Sequence, residues 1–209
     1  METETKTNTK EASKPILQTL GEGMLKAQQE IDELALQLSL GKADAKEKFE
    51  ELKNEFIDRL NWLKQFLKST FDKSMPVALK LQLEELELQL KVGKAETKES
   101  FDLQRAALIE ATIALENEIK KTLEKLEVSG YFHHEVEKFL LKLEILRLKF
   151  GIKRFEIKDS FRTRMERAKK SIHHFADKAK KVNNRKTHID FKEEIAEAYK
   201  HLKSAVKNL

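Results

Sequence analysis

The sequence predicts an all-α fold: an elongated antiparallel three-helix bundle or coiled coil, its helices about 50 residues long and built from a tandem repeat, with a shorter fourth helix at the C-terminus. Three observations lead there. Seventeen residues, ELALQLSLGKADAKEKF (Glu33 to Phe49), return 52 positions later as ELELQLKVGKAETKESF (Glu85 to Phe101), with eleven identities and no gap. A weaker third copy, ILRLKFGIKRFEIKDSF (Ile145 to Phe161), follows at a further offset of 60. The composition, 37% charged and 40% hydrophobic with six glycines and two prolines, is that of long helices, and the apolar residues recur at spacings of three and four.

Residues 1–22 open with METETKTNTKEASK, a polar stretch without the apolar core of a secretory signal. They are expected to form a largely disordered tail ahead of one helical-bundle domain over 23–209. The first helix is expected over 24–73. Inside it Leu34, Leu36, Leu38 and Leu40 alternate with other residues, which taken alone is the pattern of a half-buried strand. Residue type decides against a strand, because Leu, Glu, Gln and Lys are strong helix formers whereas strands draw on Val, Ile, Thr and aromatics. The wider stripe of Ala27, Ile31, Leu34, Leu38, Ala45, Phe49, Phe56, Leu63 and Leu67 keeps helical spacing.

Ser74-Met75-Pro76 offers a cap and an early helical proline, so the second helix is expected over 76–128, with Leu79, Leu83, Leu86, Leu90, Phe101, Leu108, Leu115 and Ile119 inward. Ser129-Gly130 marks the next turn. The third helix is expected over 131–182, with Phe139, Leu143, Leu146, Phe150, Phe161, Ala168 and Phe175 on its stripe. A polar loop, Asn183-Asn184-Arg185, leads to the fourth helix over 188–207. There Thr187 and Asp190 resemble a capping box, and Phe191, Ile195, Tyr199, Leu202 and Val206 mark one face. Short connections make neighbouring helices antiparallel. Position i of the first then faces roughly 150 minus i of the second, and Phe49, Phe101 and Phe161 form one central aromatic layer. Gly41 and Gly93 fall inside helices in this scheme, each costing about 1 kcal/mol relative to alanine, and close packing is their expected reason.

In period and composition the chain is similar to antiparallel coiled-coil and helical-repeat proteins such as spectrin-type bundles and exchangeable apolipoproteins. No motif matches residue by residue, so no site is carried over.

No catalytic set is visible. The chain has no cysteine, hence no thiol nucleophile or thiolate metal site, and no Gly-x-Ser-x-Gly, P-loop or dinucleotide fingerprint. None of the six histidines has a Glu three residues before it, as carboxylate-bundle metal sites require. The one histidine grouping a folded-back fourth helix could create is His201 with His173 and His174. No enzyme activity, cofactor, metal or small-molecule substrate is therefore expected. No apolar run reaches the ~20 residues of a membrane span, and the cytoplasm is the expected location.

Two features point to contacts. Leu36 and Leu40 face away from Leu34 and Leu38, leaving an apolar surface for the segment Pro15 to Leu25 or for a second protomer. Charge is also unevenly spread: residues 1–140 hold 21 basic and 27 acidic side chains, whereas residues 141–190 hold 16 and 6. Arg147, Lys149, Arg154, Lys158, Arg162, Arg164, Arg167, Lys169 and Lys170 could dock nucleic acid or an anionic membrane. They could equally hold the third helix against its two acidic neighbours, and this internal reading is preferred. The expectation is a non-enzymatic scaffold or protein-interaction module, self-association included, with polyanion binding through the third helix as the alternative.

Overall fold

The computed structural model describes residues 16–41, 43–71, 74–123, 127–151, 157–181, 192–207 and 209. The described residues form seven α-helices and no strand: α1 (Ile16–Ser39), α2 (Ala45–Phe71), α3 (Val77–Leu90), α4 (Lys98–Thr122), α5 (Glu127–Gly151), α6 (Asp159–Lys181) and α7 (Lys192–Val206). The protein is all-α, but helices of about 50 residues do not form. Each expected long helix is divided near its middle, and two of the three breaks show the physical cause.

At the first break Gly41 takes a left-handed backbone with φ of 67°, which costs a glycine nothing and ends α1. Its N–H reaches Leu38 O at 3.3 Å. Three residues on, Asp44 Oδ1 accepts from the N–H groups of Lys46 (2.6 Å) and Glu47 (3.4 Å), capping α2. At the second break α3 ends at Lys91, and Thr97 opens α4 with a full capping box shared with Ser100. In both copies a helix stop is followed within a few residues by a cap, and the repeat carries a turn at its centre. In the third copy α5 stops at Gly151 and α6 starts at Asp159.

Other boundaries differ as well. Helix α1 begins at Ile16, ahead of the expected 24, and its first turns pack: Gly21 lies so close to α6 that an added Cβ would sit 3.0 Å from Ala176 Cα, and Met24 is fully buried. Residues 16–25 are therefore part of α1 and not a separate cover for Leu36 and Leu40. Ser129 and Gly130 lie in the first turn of α5, where helical N–H groups have no intrahelical acceptor in any case. The loop at 183–185 and the cap at Thr187 and Asp190 lie outside the described residues.

Because each copy turns back on itself, the chain runs up and down seven times. Lys64 bonds Glu87, and Lys53 Nζ donates to Val92 O at 2.8 Å, so α3 is antiparallel to α2. Glu116 with His133 (2.5 Å) and Arg105 with Glu144 (2.6 Å) make α5 antiparallel to α4. Arg59 with Glu135 (3.3 Å) and Phe56 stacked on Phe139 (4.1 Å) do the same for α2 and α5. On the other flank α5 runs parallel to α1, where Glu30 takes Lys138 and Lys142, and to α7, where Tyr199 meets His134 and Lys203 meets Glu137.

Helix α5 consequently has neighbours on every side, α1, α2, α4 and α7, while α6 closes the far side against α1 and α7. Its sequence fits that place: Phe132, Val136, Phe139, Leu141, Leu143, Ile145 and Leu146 are buried around most of its circumference. Helices α1 and α2 scarcely touch each other. They are held through α5 instead. Helix α2 meets α5 through Phe56, stacked on Phe139, and through Trp62, whose ring lies 4.9 Å from that of Tyr131 while the indole stays exposed.

Phe49 and Phe101 meet as expected, ring centres 4.9 Å apart and edge to face, but for a different reason. Lys46 with Glu96 and Lys53 with Gln104 bring the first turns of α2 against the start of α4 with the two helices running in the same direction, at offsets of 50 and 51 residues. Phe150 stacks on Phe101 at 4.1 Å, the place expected for Phe161, which is buried on α6. The layer is Phe49, Phe101 and Phe150 because α5, not α6, is the helix beside α4.

Candidate interaction surfaces

Among the described residues, the outer face of α3 carries the largest run of exposed apolar side chains on one helix. Leu79, Leu83, Leu86 and Leu90 point inward and are buried, while Val77, Leu81 and Leu88 stand on the opposite face with Val92 just beyond the cap. Val77 is 73% exposed and Leu88 is 64% exposed, values that exclude any cover from within the described residues. Leu36 and Leu40 hold the matching positions of the first copy, 52 residues earlier, and are exposed as their alternation implied, at 43% and 57%. In the third copy the equivalent Leu148 is partly buried against the core.

Sequence reasoning singled out Leu36 and Leu40 but missed the α3 row. The signal was present in the alternation of Leu86, Leu88, Leu90 and Val92. A single long second helix, flanked on both sides, left no reason to expect an open face there.

The basic residues do not form one surface. Arg147 on α5 is exposed and holds Glu144 of its own helix through Nε (3.0 Å) and Nη2 (2.6 Å). Lys149 is half-buried at the same end. Arg154 lies outside the described residues. On α6, Arg164 turns toward α7 and donates to Ser204 Oγ at 2.6 Å. Arg162 and Lys169 lie on the opposite flank beside Asp32 of α1. Burial and Glu166 raise the Asp32 pKa, and those two cations only partly offset the rise. Lys158, Arg167 and Lys170 are exposed. On α7, Lys200, Lys203 and Lys207 line an open depression of ≈ 470 Å³ with Ala196 and Ser204; Lys203 is engaged by Glu137 at 2.8 Å.

A groove of ≈ 260 Å³ lies between α1 and α2 over α5, floored by Leu52, Phe56 and Phe139. Its walls carry both signs of charge and satisfy one another. Lys142 bridges Glu30 (2.8 Å) and Glu55 (3.0 Å), while Lys138 bridges Glu30 (3.7 Å) and Glu135 (3.0 Å). Burial disfavours the charge on Glu30, yet the hydrogen bond and charge of Lys142, with Lys138 and Lys26, outweigh it and lower the pKa. Lys142 mirrors this: burial opposes its charge, but Glu30 and Glu55 raise its pKa. The groove is a closed ionic clasp between α1 and α2, with its charges committed to each other.

The remaining buried polar pair is His134 and Tyr199, joined through Nδ1 and the hydroxyl. Burial lowers the His134 pKa to about 4, with Lys138 and His133 adding to the effect against Glu135 and Glu30. Burial, with Glu137 and Glu135, raises that of Tyr199 well above its ordinary value. His173 and His174 are exposed on α6; the Arg164 to Ser204 contact sets His201 level with Arg167, two turns away from them, where it sits 3.7 Å from Glu197. Among the described residues no group of three His, Cys, Asp or Glu side chains is placed to hold a metal ion, and no helix is long and apolar enough to cross a membrane. The chain matches no protein-family model, no curated protein and no solved structure.

Proposed function

We propose that the chain is a non-enzymatic helical scaffold of the cytoplasm, an interaction module whose contacts with other proteins are made by the outward apolar faces of its first two repeat copies. The observation that carries this reading is the row Val77, Leu81, Leu88 and Val92, left open on the outside of α3 while the same helix buries four leucines inward. Contiguous apolar surface of that kind on a soluble fold marks a contact site. The ionic clasp supports the same reading, since its charges are spent on holding α1, α2 and α5 together. The test uses the full chain as bait on a native lysate, beside Leu36→Glu/Leu40→Glu and Leu81→Glu/Leu88→Glu variants of unchanged helicity. A protein held by the wild type and lost from one variant is expected. Equal recovery from all three baits would overturn the reading.

A second reading, polyanion binding by α6, is favoured by the outward position of Lys158, Arg167 and Lys170. It predicts binding to duplex nucleic acid or acidic vesicles that weakens steeply between about 50 and 200 mM salt. Retention that is flat across that range eliminates it.

A further inference from the structure

Val77, Leu81, Leu88 and Val92 stand in an order that reads the same from either end: Val, three residues, Leu, six residues, Leu, three residues, Val, centred between Glu84 and Glu85. At 3.6 residues per turn Val77, Leu81 and Leu88 fall within an arc of about 40°, and Val92 follows just past the C-cap at Lys91. We infer that α3 is a self-recognition helix, whose occupant is α3 of a second copy laid antiparallel across it on a two-fold axis. Val77 then meets the partner's Val92 and Leu81 meets the partner's Leu88, each contact occurring twice, which is the self-complementary arrangement a two-fold interface requires. A partner of unrelated sequence imposes no such symmetry. The inference deepens the interaction-module reading and rests on it.

The row is about 22 Å long and one helix wide, which places the pairing below the ~1,200 Å² of a standard interface and makes it a reversible association. One flank, Lys80, Glu84, Glu87 and Lys91, has no net charge. Lys80 lies 3.8 Å from Glu84, and Glu87 is held by Lys64 and Lys91. At the centre Glu84 and Glu85 approach their counterparts, and this like-charge contact weakens the dimer.

Sedimentation velocity on the full chain reads the outcome. The average mass should rise from one chain toward two with concentration, stay at one chain in Leu81→Glu and in Leu88→Glu with helicity unchanged, and rise at several-fold lower concentration in Glu84→Gln. Because the chain has no cysteine, Glu85→Cys gives a single thiol near the axis. A short bis-maleimide should couple it to its counterpart and should not couple Leu36→Cys. A monomer at every concentration, a dimer that survives Leu88→Glu, or equal coupling at positions 85 and 36 would each overturn the inference. Capture of a partner by a strictly monomeric bait would leave the interaction-module reading standing without it.

Discussion

His134 of α5 and Tyr199 of α7 share a buried hydrogen bond, and it couples the docking of the C-terminal helix to pH. His134 has a folded-state pKa of about 4, below the ~6.5 of an exposed histidine. The unfolded chain therefore binds the extra proton first. The stability from keeping His134 neutral is fully present above pH ~6.5 and is lost as pH falls toward 4, by on the order of 3 kcal/mol at most. Denaturant melts of wild type and His134→Gln between these values should show the wild type losing more, whatever the variant's starting stability. Parallel slopes would refute the coupling.

Gly41 distinguishes the observed turn from a continuous helix by the sign of one measurement. In a helix interior Gly41→Ala would stabilise by about 1 kcal/mol. At φ of 67° it should destabilise by ~1–2 kcal/mol. Gly93, whose φ is not positive and whose added Cβ would meet nothing within 4 Å, should accept alanine with little loss. Equilibrium unfolding of the two variants gives the comparison.

Thr97 caps α4 with Ser100 completing the box. Thr97→Ala should cost about 1 kcal/mol and raise amide exchange in the first turn of α4 ahead of the rest of the helix.

Lys142 and Glu55 belong to one clasp but should behave differently. Lys142 is buried, and Lys142→Ala removes one of the cations that keep Glu30 ionised, for a loss of roughly 3 kcal/mol. Glu55 is 58% exposed at its side chain, so Glu55→Gln should cost less than about 1 kcal/mol. Urea melts of the two variants test the ranking, and equal losses would mean that α1 and α2 are not joined through Lys142.

The class of fold was legible because helix propensity and spacing are local properties, and so was the exposure of Leu36 and Leu40, which follows from alternation on one helix. The turns were legible in principle. Gly41 with Asp44, and Gly93 with Thr97, are a stop and a start separated by a few residues, but the stripe of leucines and phenylalanines passes through both without losing phase, and phase was the stronger local signal. What the sequence could not show is which helix lies beside which. Phe101 fits Phe150 as well as Phe161 by chemistry, and only the register of α4 against α5, fixed by Glu116 with His133 and Arg105 with Glu144, decides between them. The basic residues divided for the same reason: a charge excess counted along the chain does not say that Arg164 faces Ser204 while Arg162 and Lys169 face Asp32.

The central place of α5 sets an order of events at the ribosome. Helices α3 and α4 pack on each other across a short turn and can pair as soon as both have emerged. Helix α1 has no such local partner, and although α2 can pair with α3 across its own short turn, the platform that joins α1 to α2 is encoded some 80 residues downstream of α2's middle. Until α5 emerges, Phe56 lacks the rings of Phe132 and Phe139 that it packs against, and that interval leaves the nascent chain exposed to aggregation and to chaperones. Helix α5 thus supplies the template on which α1 and α2 acquire their mutual arrangement, and a chain truncated before α5 should be a client of the folding machinery rather than a smaller version of the protein.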